Sequence, residues 1–113
     1  MRDEIERLIG TQIDDLVKLE LALFFQQNAA FVDQIEGIAR RVGRDPCAVE
    51  GALRALADSG LLERFELGSG KYVLYSYTRD PELRASMDAL SAAYHENPSE
   101  RVEIVKRLTG LGR

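Results

Sequence analysis

The sequence lacks the residues that mark several common classes of protein. It has one cysteine and one histidine, so no internal disulfide forms and no metal site has a second such ligand at hand. It has only three prolines, and no apolar run approaches the roughly 20 residues of a membrane span. No phosphate loop, serine elbow or metal signature is present. We therefore expect a non-enzyme with no cofactor and no membrane segment.

The chain also lacks a basic segment. Its net charge is −4, with −3 on residues 1–28, −1 on residues 29–78 and 0 on residues 79–113. No nucleic-acid-binding tail is present, although the local placement of arginines matters more for binding than the net charge. The first residues resemble no signal peptide, and the single cysteine fits a reducing compartment. These features predict a cytoplasmic protein.

The 113 residues predict one domain with three parts. Residues 2–27 form an N-terminal helical segment, residues 33–78 form the middle, and residues 80–109 form two C-terminal helices. Within the first part, Gly10 and Thr11 either break the segment, with Thr11 capping a second helix, or lie inside one long helix. From Thr11 to Gln27 the segment is apolar on nearly all sides at its C-terminal end, which predicts a buried central helix.

Two short helices follow one another closely in the middle of the chain. Asp33 and Glu36 have the spacing of a capping box, and Gly43 ends the helix that they begin. Asp45-Pro46 places a capping acid and an N1 proline at the start of the next helix. Only about two residues join the helices, which is typical of a helix-turn-helix.

A β-hairpin is predicted directly after the second helix. Leu61 to Leu67 and Lys71 to Thr78 are strands, joined by a glycine-rich turn at residues 68–70. Phe31 and Val32 are predicted to form a short edge strand. Alternation places Tyr75 and Tyr77 on one face, where they either enter the core or stack on a ligand; the core is favoured. The fold class is therefore mostly α with a small β-hairpin (α+β).

These elements resemble the winged-helix transcription regulators of the MarR and ArsR type. The resemblance covers roughly residues 16–78 and rests on core and turn positions, which are fairly specific for the fold. It implies a winged helix-turn-helix with extra N- and C-terminal helices. The matching residues are Ile38, Ala39, Gly43, Val49, Leu53, Leu56, Gly60, Leu61 and Leu62, with Tyr75-Ser76-Tyr77-Thr78 as the returning strand of the wing.

The resemblance also implies which residues contact double-stranded DNA. In that family the exposed face of the second helix reads the major groove, and the wing contacts the backbone. Arginines at the turn between the helices suit phosphate contacts, and arginine in the second helix suits base contacts. The implied DNA-binding residues are Arg40, Arg41, Arg44, Cys47, Ala48, Glu50, Gly51, Arg54 and Lys71.

Other interpretations of the same residues remain open. The arginines would also suit a solvated surface that forms ion pairs with neighbouring acids, namely Glu36, Asp45, Glu50 and Asp58, although phosphate contact is favoured. Cys47 lies in the first turn of a helix, where a lowered thiol pKa would suit a redox or metal sensor, but a small filler residue is the commoner case.

The terminal helices offer apolar stripes beyond the needs of the central motif. Either they pack on their own domain, or they pair two subunits as in relatives of this type. We expect a homodimeric DNA-binding transcription regulator that is joined through these helices. The alternative is a winged helix that contacts protein and not DNA. The residues identify neither a DNA target nor a small-molecule effector.

Overall fold

The computed structural model of the chain describes residues 2–110. In this range six helices and three short strands form a mostly helical fold with one small antiparallel sheet, so the α+β class is confirmed. None of these helices has both the length and the hydrophobicity of a membrane-spanning segment. In chain order the elements are α1 (Asp3–Leu8), α2 (Leu16–Gln27), β1 (Val32–Asp33), α3 (Ile35–Val42), α4 (Pro46–Asp58), β2 (Leu62–Leu67), β3 (Tyr72–Tyr77), α5 (Pro81–Glu96) and α6 (Pro98–Thr109).

The N-terminal segment is two helices and not one. Gly10 has a φ of 92°, which ends the regular structure after α1. The prediction that Thr11 caps the second helix is wrong. Its hydroxyl donates to the carbonyls of Arg7 and Leu8, so it caps the end of α1 instead. Asp15 caps α2 by accepting a hydrogen bond from the Lys18 amide at 2.8 Å.

The start of α3 also differs from its predicted capping box. Asp33 is part of β1, where it lies opposite Tyr75, and Gln34 precedes the helix without a side-chain cap. Because Asp33 is held in β1 by strand pairing, it lies one residue before the N-cap position of α3 and does not cap the first turn. Its carboxylate accepts from the Gln34 amide at 2.7 Å and lies against Gly37. The predicted Phe31–Val32 strand is therefore shifted by one residue, to Val32–Asp33.

The turn between α3 and α4 is confirmed. Gly43 ends α3 with a φ of 71°, and the Arg44 amide donates back to the carbonyl of Ala39 at 3.0 Å. Asp45 then caps α4 by accepting from the Cys47 amide, and Pro46 occupies the first helical position. Only three residues, 43–45, therefore separate the end of α3 from the start of α4.

The sheet has the order β1-β3-β2 with all neighbours antiparallel. Leu62 lies opposite Tyr77, and Leu67 lies opposite Tyr72 at the hairpin tip. The turn from Gly68 to Gly70 has positive φ at all three residues, including Ser69 at 58°. Tyr75 and Tyr77 are buried, which confirms that they belong to the core.

Helix α2 lies at the centre of the fold and contacts α4, α5, α3, α6 and β3. The terminal helices bury most of their apolar residues within the same chain, among them Ile5, Leu8, Met87 and Leu90. In α6, Ile104 is buried, whereas Val102 is 52% exposed. Arg101 donates to the carbonyl of Tyr94 and fixes this rotation of α6 against α5.

Candidate nucleic-acid interface

Helix α4 has one buried and one exposed face, as its sequence predicts. Val49, Leu53 and Leu56 are buried in the core, which they share with α2 and β2. The opposite face points into solvent along the whole helix. Its exposed residues include the five α4 positions predicted to contact DNA, namely Cys47, Ala48, Glu50, Gly51 and Arg54. The structure therefore makes this face available to a partner, with Arg54 as its main cation.

Arg44 at the turn is engaged by a residue of another helix. Its Nε and Nη2 both donate to Oε2 of Glu20 on α2, at 3.1 and 2.9 Å. This hydrogen bond, and the negative charge of Glu20, raise the pKa of Arg44. The predicted local partners of the arginines were wrong here, since none of Glu36, Asp45, Glu50 and Asp58 forms an ion pair with an arginine among the described residues.

The other cations near the turn and the wing have no carboxylate partner in the described part of the chain. Arg40 is exposed in the last turn of α3, and the guanidinium of Arg41 lies 5.0 Å from the centre of the Phe31 ring. At the hairpin, Lys71 Nζ lies 5.6 Å from the centre of the Tyr72 ring. Arg64 differs, because it is paired with Glu66 at 3.3 Å. Arg40, Arg41, Arg54 and Lys71 are thus the cations available to an anionic partner.

The acidic side chains weaken this surface. Glu50 is exposed on the same face of α4 as Arg54, and Glu36 and Asp58 are exposed on α3 and at the end of α4. A carboxylate next to a phosphate is repelled, although glutamate accepts a hydrogen bond from cytosine in the major groove. These carboxylates therefore reduce the attraction of the surface for an anionic partner.

A groove of about 440 Å³ lies beside the turn, between α2, the end of α3 and the end of α5. Arg41 and Arg44 line it together with Glu20, and the Gln27 amide nitrogen lies 2.7 Å from Nε2 of His95 on its lining. Its volume is in the range of small-molecule sites. No sequence pattern predicts this groove, because its residues come from separate segments that only the packing of α2 brings together.

Cys47 and His95 show no arrangement for metal binding. Both are exposed and lie on different helices. Within residues 2–110, no group of three or more His, Cys, Asp and Glu side chains has a geometry that would hold a metal ion.

Comparison of the chain with known protein families, curated proteins and solved structures finds no match. Function is therefore inferred from the surface itself.

Proposed function

We propose that the protein is a winged-helix DNA-binding transcription regulator. The observation that carries the proposal is the arrangement of elements in residues 32–77. A short strand precedes two helices that are joined by a tight turn. An antiparallel hairpin follows, and its second strand pairs with the short strand. In a winged helix this order places the second helix outward and the hairpin tip beside it.

In this proposal α4 enters the major groove. Arg54 contacts base edges, Glu50 accepts from cytosine, and the small Cys47, Ala48 and Gly51 allow the helix to approach closely. Arg40 and Arg41 contact phosphates at the turn, and Lys71 contacts a phosphate at the wing. Arg44 also contacts a phosphate, but only when DNA displaces Glu20 from its guanidinium.

Fluorescence anisotropy on a pool of genomic DNA fragments, titrated from low to physiological salt, tests the proposal. We expect log affinity to fall linearly with log salt. Arg40→Ala reduces that slope by about 1 and weakens all fragments equally, whereas Arg54→Ala costs about 1–3 kcal/mol on preferred fragments only. Lys106→Ala is the matched control, because it removes one exposed charge from α6, which packs mainly on α5 and lies outside residues 32–77. Absence of binding at low salt would reject DNA as the partner.

Glu20→Gln sharpens the test. Removing the carboxylate frees Arg44 to contact a phosphate. The fall of log affinity with log salt should therefore become steeper, by up to the amount expected for one additional phosphate contact. An unchanged slope would show that Arg44 lies outside the DNA contact.

A protein-contact module is the second candidate. It is favoured by the engagement of Arg44 with Glu20 and by exposed apolar residues on the sheet, including Phe65, Leu67 and Tyr72. Charge reversal at Arg40 and Arg41 separates the two functions, because it abolishes DNA binding but leaves a contact through apolar residues intact.

A further inference from the structure

The groove beside the turn follows one side of α2 along the whole helix. The α2 residues that line it are Leu16, Leu19, Glu20, Leu23, Phe24 and Gln27. Residues three and four positions apart lie on the same side of a helix, so these six form one stripe. Helix α2 has 12 residues and is therefore roughly 18 Å long. The groove is elongated, with a shape that suits a linear ligand.

Most of the stripe and its walls are apolar. Leu19 and Leu23 are only 2 and 6% exposed and form the floor, whereas Leu16, at the start of α2, is 40% exposed. Val42 at the end of α3 and Tyr94 near the end of α5 add apolar surface to the walls. An apolar lining with a few polar groups is typical of a small-molecule site.

The charges on the lining favour an anion. Arg41 and Arg44 contribute two positive charges, and Glu20 contributes one negative charge. Glu20 is already bound by Arg44 at 2.9 Å, and Arg41 has no carboxylate partner in residues 2–110. The chain as a whole carries −4, so this groove is a place of positive charge on an acidic protein. The charged group that complements it is an anion.

The polar groups at the end of α2 add no positive charge. Nε2 of Gln27 lies 2.7 Å from Nε2 of His95. An amide nitrogen only donates, so the imidazole nitrogen accepts and carries no proton in this arrangement. The arginines are therefore the groups on the lining that can bind an anion.

We propose that the groove binds an organic anion with a linear apolar chain, of the chemistry of a medium-chain fatty carboxylate. The carboxylate pairs with Arg41 and competes with Glu20 for Arg44. The chain lies over Leu19 and Leu23 and extends toward Leu16. This binding does not depend on DNA.

The ligand shares two arginines with the phosphate contacts proposed at the turn. A guanidinium that binds the ligand is less available to a phosphate, so the ligand and DNA should each weaken the affinity of the protein for the other. This competition rests on the proposed function, whereas the ligand site does not.

Titration of the ¹⁵N-labelled full chain with octanoate, followed by NMR without DNA, tests the site. We expect saturable shifts in α2 and at the turn, with a dissociation constant below about 1 mM. Octanol has the chain without the charge and should bind about tenfold more weakly or less, and acetate has the charge without the chain and should not saturate. The absence of saturable shifts with octanoate would overturn the proposal, and so would equal affinities for octanoate and octanol.

Two neighbouring arginines provide a matched pair of variants. Arg40 and Arg41 are both exposed in the last turn of α3, but Arg41 lines the groove and Arg40 does not. Arg41→Ala should weaken octanoate binding by about tenfold, and Arg40→Ala should leave it unchanged. Equal losses in the two variants would mean a general attraction of anions to the turn and would overturn the site.

Glu20→Gln should have the opposite effect. It frees Arg44 for the ligand, so octanoate should bind several times more tightly, which a mere loss of structure would not produce. Weaker binding in this variant would contradict a carboxylate held between the arginines. Circular dichroism establishes that the variants fold.

The course of the chain is tested at the exposed end of the stripe. Leu16→Gln should weaken octanoate binding by about threefold, because it removes apolar contact from the end of the chain. Val102→Gln is the matched control, since Val102 is also an exposed apolar residue and lies on α6 outside the groove. Unchanged affinity in Leu16→Gln would contradict a chain that extends along α2.

Fluorescence anisotropy of DNA with and without saturating octanoate tests the competition. Octanoate should lower the affinity of the wild type for DNA by several-fold. If no DNA binds at low salt, the proposed function fails and the NMR result still decides the ligand site. If octanoate binds and the affinity for DNA is unchanged, the competition is wrong.

Discussion

The two faces of the small sheet have similar residues in opposite environments. Leu62, Tyr75 and Tyr77 on the inner face are at most 4% exposed, whereas Leu67 and Tyr72 on the outer face are about half exposed. Antiparallel sheets with one solvated side usually alternate apolar and polar residues. Here Leu67 and Tyr72 place apolar side chains on the solvated side, and the stability of the monomer does not explain them. The inner residues therefore stabilise the fold, whereas the outer residues are available to contact a partner.

The largest expected effect comes from the same substitution on each face of one strand. Leu62→Ala should lower the free energy of unfolding by about 3 kcal/mol, because it leaves a cavity beneath the hairpin. Leu67→Ala should change it by no more than about 0.5 kcal/mol in the monomer, because its side chain is already in solvent. Denaturant unfolding at low protein concentration measures both. Equal losses would mean that the outer face is covered within the chain.

The inner face should also show a pH dependence at Tyr77. Burial, with a smaller contribution from the charge of Asp88, raises the pKa of Tyr77 from 10.0 to about 12. The folded state therefore holds this proton more tightly than the unfolded state. Its contribution, on the order of 2 kcal/mol, is fully present below pH 10 and is lost as the pH rises toward 12.

Tyr77→Phe isolates this contribution. The Tyr77 hydroxyl is buried without a hydrogen-bond partner among the described residues, so its removal should cost little at neutral pH. Between pH 10 and 12 the variant should lose less stability than the wild type, as measured by urea unfolding at several pH values. Parallel losses in the two proteins would contradict the assignment to Tyr77.

Local signals in the sequence predicted much of the fold. The acid-proline pair Asp45-Pro46 located the start of α4, and positive φ at Gly43 and Gly68 agrees with the turns predicted there. These features depend on neighbours within a few residues. The buried face of α4 was predicted for the same reason. Helical periodicity shows that the side of the helix that carries Val49 enters the core.

Contacts between distant segments were not predictable in this way. Arg44 meets Glu20 across 24 positions, and the pairing of β1 with β3 draws Asp33 into the sheet and away from its predicted cap. The rotation of α6 depends on Arg101 reaching a carbonyl of α5. In each case several local arrangements were chemically reasonable, and tertiary packing selected one of them.

The smallest expected effects come from alanine substitutions at two helical glycines. A neighbouring side chain occupies the space of a Cβ at Gly37, whereas that space is open at Gly51. Gly51 has open space where a Cβ would lie, so Gly51→Ala should stabilise α4 by about 0.5–1 kcal/mol. At Gly37 a Cβ would fall 1.9 Å from the carboxylate of Asp33, which must rotate and release the Gln34 amide. Gly37→Ala should therefore lose the helix gain and be neutral or destabilising by about 1 kcal/mol. Thermal unfolding of both variants decides the point, and adding Asp33→Ala to Gly37→Ala should recover the gain if the carboxylate is the cause.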